Sequence, residues 1–408
     1  MPSTLPDGDP VPDDGSLPPS AAVGLGDRAL AMYLHVPFCL TRCGYCDFNT
    51  YTRGELGSSS SPESWLDAAL AEVALAGRTL RNLGDNRKVS SIFVGGGTPS
   101  LVGAGPLVSV VDAIGAEFGL VADAEVSTEA NPESTDPEFL AGIRAGGFTR
   151  LSLGMQSTAP RVLATLDRTH TPGRPAEVVG WAHDAGFRHV NLDLIYGTPG
   201  ETDADFAASL EAAVAAGADH VSAYSLIVEP GTRLARQVAG GQLPMPDDDL
   251  LADRYLLAEN TLAAAGFSWY EVSNWATSQA ARCRHNLGYW RGDDWWGIGP
   301  GAHSHVGGVR WWNVKHPAGY AQRLASGRTP AHAREILDDA ARRVEDVLLR
   351  LRLVEGLPAG TLDGAGRHQA QKEAAAGLLD TAALRTGQLV LTLRGRLLAD
   401  GLALRLLG

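Results

Sequence analysis

Three of the four cysteines in this 408-residue chain, Cys39, Cys43 and Cys46, fall within eight residues in the spacing Cys-x3-Cys-x2-Cys. Thiolates so closely placed on one loop can hold three irons of a cubane iron–sulfur cluster, since soft sulfur ligands suit such centres. The fourth iron then lacks a protein ligand. The amino and carboxylate groups of S-adenosylmethionine can chelate an iron left open in this way, and an electron from the cluster then cleaves the sulfonium to a 5'-deoxyadenosyl radical. The competing reading is a structural zinc site, which closes with four ligands in roughly tetrahedral geometry. His35 lies on the preceding strand pattern and Cys283 is remote in sequence, so neither is an obvious fourth ligand.

A cluster loop needs elements to carry it. From Ala31 onward short β-rich runs alternate with longer helical patterns. Strands are expected at Ala31–Val36, Val89–Val94, Glu125–Ala130, Thr149–Leu153, His189–Ile195 and His220–Leu226. Helices are expected at Glu63–Leu83, Pro137–Ala145, Ala176–Ala185, Asp203–Ala216 and Asp247–Ala265. Strands spaced this way pair in parallel through right-handed crossovers, and six units favour a partial or complete barrel over a flat doubly wound sheet. Ligands of either architecture gather where strands end and loops begin. Gly95-Gly96-Gly97-Thr98-Pro99 follows the second strand, where glycine lets the backbone approach a ligand closely. It is not a dinucleotide fingerprint, and its plain alternative is a tight turn.

The chain is long enough for two domains. Its formal charge of −13 argues against sequence-independent nucleic-acid binding, which Lys and Arg drive by displacing counterions from phosphates. No run of eighteen apolar residues and no secretory signal pattern is present, and clustered cysteines suit a reducing compartment, so a cytoplasmic protein is expected. Residues 1–27, rich in Pro, Asp, Gly and Ser, read as a flexible leader. The Gly54–Ser61 stretch reads as a surface loop. A core over 28–268 precedes an aromatic and Gly-rich connecting region over 269–330. Residues 331–408 read as a small winged-helix-like unit, with a helix around Ala331–Leu353 and a short strand over Leu389–Leu393.

The Cys-x3-Cys-x2-Cys motif with an aromatic, Tyr45, before its last cysteine resembles the signature of the radical S-adenosylmethionine superfamily. Further segments resemble the branch containing oxygen-independent coproporphyrinogen III dehydrogenase and the HemW-like haem chaperones: Glu129-Ala130-Asn131-Pro132, Leu153-Gly154-Met155-Gln156-Ser157, Arg168-Thr169-His170 and Asn191 to Gly200. The resemblance covers about residues 30 to 400. It implies a partial (β/α)6 barrel resembling a TIM barrel with a smaller α/β C-terminal domain, and a 4Fe-4S cluster on Cys39, Cys43 and Cys46. It also implies S-adenosylmethionine contacts from Tyr33, Tyr45, Gly96, Gly97, Thr98, Glu129, Gln156, Arg168 and Asp193. No residue acquires a catalytic role from it.

Two features separate functions within that branch. The dehydrogenase carries an extra cysteine two residues after its last cluster cysteine, where this chain has Phe48. His285-Asn286-Leu287-Gly288-Tyr289-Trp290 matches the H-N-x-x-Y-W pattern associated with haem in the chaperones, which implies haem contacts from His285, Asn286, Tyr289 and Trp290. A packed aromatic turn is the structural alternative, with His303 and His305 as further ligand candidates and Cys283 as an ordinary buried residue. The resemblance thus points to a haem chaperone delivering haem to apo haem proteins of the respiratory chain, with flavodoxin or ferredoxin as possible electron donors. Homodimerisation and peripheral membrane contact stay open. So do coproporphyrinogen oxidation and another radical reaction on haem or a small substrate.

Overall fold

The computed structural model describes residues 5–57, 60–168 and 170–408. Six parallel strands, β1 (Leu30–Val36), β2 (Val89–Gly96), β3 (Leu120–Ala130), β4 (Arg150–Gln156), β5 (His189–Tyr196) and β6 (His220–Ser225), lie side by side in that order. A helix follows each: α1 (Pro62–Asn82), α2 (Ala104–Phe118), α3 (Pro137–Ala145), α4 (Arg174–Asp184), α5 (Asp203–Ala215) and α6 (Asp248–Ala264). Alternation along the strands creates two environments. Met32, Leu34 and Val36 of β1 join Trp65, Ala69 and Val73 of α1 in the main core, whereas Tyr33 and His35 face the lumen with Phe93. Side-chain caps start the helices where the sequence offers them, from Ser61, Asp136, Thr202 and Asp247.

The sheet extends past the six parallel strands on both sides. Beyond β6 it takes a hairpin of β7 (Ser268–Glu271) and β8 (Asn274–Ala276). Beyond β1 it takes β9 (Asp294–Ile298) in parallel, then β10 (His303–Val306), β11 (Val309–Asn313) and β12 (Ala331–Ile336) in antiparallel. The order β12-β11-β10-β9-β1-β2-β3-β4-β5-β6-β8-β7 has two free ends, so the barrel is partial, as expected. Helix α7 (Arg284–Arg291) lies at the N-terminal ends of the strands. Beyond α8 (Pro317–Ala325), α9 (Asp339–Arg350), α10 (Gly364–Ala375) and α11 (Ala399–Leu407) enclose a separate apolar core containing Val347, Leu357, Leu389 and Leu402.

Three expectations need correction. Residues 5–27 are not a loose leader. Asp9 exchanges backbone bonds of 2.8 and 2.9 Å with Arg334, Thr329 N donates to Asp13 O at 2.8 Å, and Ala21 is fully buried. The reason is the exposed edge of β12, whose unpaired backbone groups this segment covers. The expected helix around Ala331 begins only at Asp339, capped by Asp338, because Ala331 and Ala333 are buried while His332 between them is exposed, a period of two. The expected strand over Leu389–Leu393 shrinks to Gln388–Leu389, and Leu393–Arg396 is a helical turn. Of the Gly54–Ser61 loop, residues 58–59 lie outside the described residues.

Glu72 of α1 ties the extra strands to the barrel. It is fully buried and accepts from Gly299 N at 2.8 Å, Asn313 Nδ2 at 2.8 Å and the Tyr320 hydroxyl at 2.5 Å. Burial outweighs those donors and pushes its carboxyl up to about 7. A folded value above the unfolded one means that the native state holds the proton longer, so Glu72 costs stability as pH rises from about 4.5 to 7. A displacement of that size corresponds to about 3 kcal/mol. Urea unfolding at pH 5 and pH 8 should therefore show the wild type losing about 2.5 kcal/mol more than Glu72→Gln across that interval; equal losses would show that Glu72 does not titrate there.

Candidate functional site

The three cysteines sit on the loop that leaves β1 at the C-terminal rim of the barrel. A two-residue parallel pairing of Phe38–Cys39 with Tyr51–Thr52 closes its base. Backbone bonds tie it to three neighbours: Thr98 N to Phe38 O at 2.7 Å, Gly44 N to Leu166 O at 3.0 Å and Leu234 N to Gly44 O at 2.8 Å. Asn49 anchors the far side by donating to Pro300 O at 3.0 Å and Lys315 O at 2.9 Å, while its own carbonyl meets His35 Nε2 at 2.9 Å.

Two side chains are directed at the sulfurs. The Thr98 hydroxyl donates to Cys39 Sγ at 3.8 Å and the Arg168 guanidinium to Cys43 Sγ at 3.7 Å. Burial raises the Cys39 thiol and pushes Cys46 up to about 11, with the other cysteines of the loop adding to both shifts. The three sulfurs are thus within electrostatic reach of one another. Among the described residues no three His, Cys, Asp or Glu side chains converge on a point suited to one metal ion. A cubane makes no such demand, because its three cysteines bind three different irons. Donors near thiolate ligands are the kind of outer contact that tunes a cluster.

The glycine run forms a shelf under the loop. Gly96 has φ +113°, and a Cβ there would meet the His35 ring at 2.6 Å; at Gly97 it would meet Phe38 O at 2.4 Å and Cys39 Sγ at 3.0 Å. Only glycine lets the backbone pass so close. Gly96 N donates to Glu129 Oε2 at 3.0 Å. Burial, reinforced by Asp193, pushes Glu129 up to about 8. Asp193 is itself raised by burial although it accepts from Ser152 at 2.9 Å and Asn191 at 2.7 Å. Gln156 sits at a bulge in β4 with φ +58°, and its buried Oε1 lacks a partner, as does Arg168 Nε. Tyr33 reaches His35 Nδ1 at 3.0 Å. The structure thus gathers Tyr33, Gly96, Gly97, Thr98, Glu129, Gln156, Arg168 and Asp193 on one rim and its lumen, and Tyr45 packs below the loop near Leu166 and Leu234. Thr169 lies outside the described residues.

The aromatic motif is elsewhere. It forms α7, the floor of the lumen, pinned by a buried ion pair in which Arg150 Nε meets Glu125 at 3.0 Å. Glu125 also accepts from Arg284 N at 2.8 Å, and Arg150 donates to Ala281 O at 2.8 Å. His285 is 2% exposed, stacks on Phe93, and has Nδ1 3.0 Å from Ser91 Oγ and Nε2 2.8 Å from the Tyr289 hydroxyl. Whichever nitrogen carries the proton, a hydroxyl occupies the lone pair of the other. Ser91 and Gly96 stand five residues apart on β2, roughly 16 Å along the strand. Asn286 donates to the buried Glu271 at 3.0 Å, and Trp290 lies under Arg352. His285, Asn286, Tyr289 and Trp290, from which haem contacts are expected, are thus engaged here with Ser91, Phe93, Glu271 and Arg352.

Sequence reasoning missed Glu72, Asn49 and the Glu125–Arg150 pair, whose partners lie 25 to 266 residues away. Only the inward register of their strands could have flagged the last. If His285 is a floor residue, His285→Ala should cost about 2–4 kcal/mol in denaturant unfolding without haem, from a cavity and two lost buried hydrogen bonds; a change within about 0.5 kcal/mol would mark it as dispensable to the fold.

Comparison with known proteins agrees with this geometry. Residues 33–213 match the model of the radical SAM superfamily. A Mycobacterium tuberculosis protein named heme chaperone HemW is 59% identical over 381 residues, spanning 93% of this chain and 95% of its own length. An Escherichia coli protein of the same name is 34% identical over 336 residues, spanning 81% and 84%. In fold the chain is similar to the E. coli coproporphyrinogen III oxidase HemN, described as a radical SAM enzyme, with a TM-score of 0.79 at 23% identity over 95% of this chain and 92% of that one. With its thiol-bearing loop on the rim of a partial barrel and relatives aligned along nearly its whole length, the chain belongs to the HemW-like branch of the radical SAM superfamily.

Proposed function

We propose that the chain is a haem chaperone that carries a 4Fe-4S cluster on Cys39, Cys43 and Cys46, binds S-adenosylmethionine at the barrel rim, and hands haem to apo haem proteins of the respiratory chain. The observation that carries the cluster part is the placement of three thiols on one rim loop with Thr98 and Arg168 donating to two of them. The carrier part rests on the name heme chaperone HemW borne by relatives that align with most of this chain.

The rim fits S-adenosylmethionine chemically. When bound at an open cluster iron, that cofactor supplies electron-triggered cleavage of its sulfonium. The protein's own part is binding and orientation. Arg168 offers a planar donor set for a carboxylate, and the partnerless Gln156 Oε1 can accept from an ammonium or hydroxyl. Glu129, raised by burial and by Asp193, and Asp193, raised by burial, would ionise more readily beside a cation. The glycine shelf admits a ligand against bare backbone.

Coproporphyrinogen oxidation is the weaker reading, because Phe48 stands where the dehydrogenase has its extra cysteine. Reconstituted protein incubated anaerobically with S-adenosylmethionine, a reductant and either coproporphyrinogen III or haem should retain haem stoichiometrically and release no decarboxylated porphyrinogen. Decarboxylated product accompanied by 5'-deoxyadenosine would instead assign the enzyme reading.

A further inference from the structure

The four motif residues do not share one face of α7. Positions four apart stack along a helix and neighbours stand about 100° apart around it, so His285 pairs with Tyr289 and Asn286 with Trp290. His285 meets Ser91 and Phe93, with Tyr289 edge-on against it. Asn286 and Trp290 meet Glu271 and Arg352 on the adjoining face. A flat ring that touches all four has to lie across both faces, and the second is covered.

The cover is the segment 352–355, which leads from α9 towards α10 and crosses α7 on the way. The Arg352 guanidinium lies over the Trp290 ring, 5.9 Å from its centroid. Leu353 is buried in a small apolar cluster with Tyr270 and Leu287, against which Trp290 and Val354 pack. Its backbone bridges to Glu271, and Val354 N donates to Tyr270 O at 2.9 Å. Glu355 then closes on Arg291, the residue after the motif, accepting from Nε at 2.6 Å and from Nη2 at 2.8 Å.

The C-terminal unit is attached unevenly. On one flank Arg396 is 12% exposed and held by Glu259 at 2.8 Å, with its guanidinium 3.9 Å from the centre of the Trp269 ring. On the other, Arg291 and Glu355 are 42% and 41% exposed, and beside them a cleft of about 480 Å³ separates Asp293 from Asp346 and Arg350. Exposed ion pairs contribute little and are screened by salt. The apolar core of this unit is also separate from that of the barrel. The attachment is therefore firm at Arg396 and weak where the chain crosses the motif.

We propose that the segment 352–355 is a gate over the aromatic motif, latched by Arg291 and Glu355, and that a porphyrin engages Asn286 and Trp290 only when the latch opens. The inference rests on the haem-carrier reading and adds to it the step that controls access. Binding to a state that is open for part of the time is slowed and weakened in proportion to that fraction, so weakening the latch speeds capture.

The test is stopped-flow absorbance of haem association with anaerobically cluster-loaded protein, in wild type, Glu355→Arg, Arg291→Glu and the double exchange Arg291→Glu, Glu355→Arg. Each single reversal replaces attraction by repulsion and should raise the association rate about fivefold, while the double exchange rebuilds a pair and should return the rate to within about twofold of wild type. Simple attraction of the haem carboxylates gives another pattern, with Glu355→Arg faster and Arg291→Glu slower, and that pattern overturns the proposal. So do equal rates in all four proteins. Amide hydrogen exchange without haem gives a second reading: it should quicken over residues 284–291 in both single variants and recover in the double exchange. Quickening that spreads through β1 to β6 would instead make the pair a support of the whole fold and overturn the gate. A wild type that binds no haem refutes the carrier reading itself, whereas uniform rates refute only the gate.

Discussion

The structure depends on holding a short irregular loop, with its backbone polar groups satisfied, so that three sulfurs are held near one another at the barrel rim. Buried backbone groups without partners are costly. This loop meets that constraint through other elements: Gly97 and Thr98 after β2, Leu166 after β4 and Leu234 after β6 each exchange a backbone bond with it or its base. Gly97 is the tightest point, since any side chain there would strike Phe38 and Cys39. The parallel barrel is the scaffold that brings those strand ends to one rim.

Below the rim the lumen separates two kinds of electrostatics. At the top, burial raises the carboxyls of Glu129 and Asp193. At the bottom, Glu125 and Arg150 neutralise each other and hold α7 by its first backbone amides. A buried pair of this kind adds little net stability, but breaking it strands a charge. His285, Phe93 and Tyr289 fill the space between, which makes the aromatic motif a support for the lumen. Carboxylates thus stand above and a packed aromatic floor below, with the cysteines at the top.

Much of this was legible in the sequence. The six strands and five of the helices between and after them could be read, because the strands are β-rich runs and the helices carry apolar periodicity, some with caps, as Thr202 and Asp247 illustrate; α2, which lacks a side-chain cap, was not read. The cysteine spacing and the polar strand ends marked the rim. The strands β7 to β12 were hidden, since Trp269, Trp275, Trp295, Trp296, Trp311 and Trp312 with intervening glycines give short strands whose alternation is masked by aromatics on both faces. The burial of His285 could not be read either: a haem-ligating and a packed histidine have the same sequence. The leader's docking was invisible because its composition reports weak self-association, while its order comes from the edge of β12.

The central claim is that the three loop cysteines hold a cubane with one iron left open. The Mössbauer spectrum of protein reconstituted anaerobically with isotopically enriched iron and sulfide tests this most directly. The account predicts a four-iron cluster in which one iron is distinct from the other three and responds to added S-adenosylmethionine. A protein that takes up no cluster iron, or that holds a single tetrahedral zinc on these thiols, would contradict it.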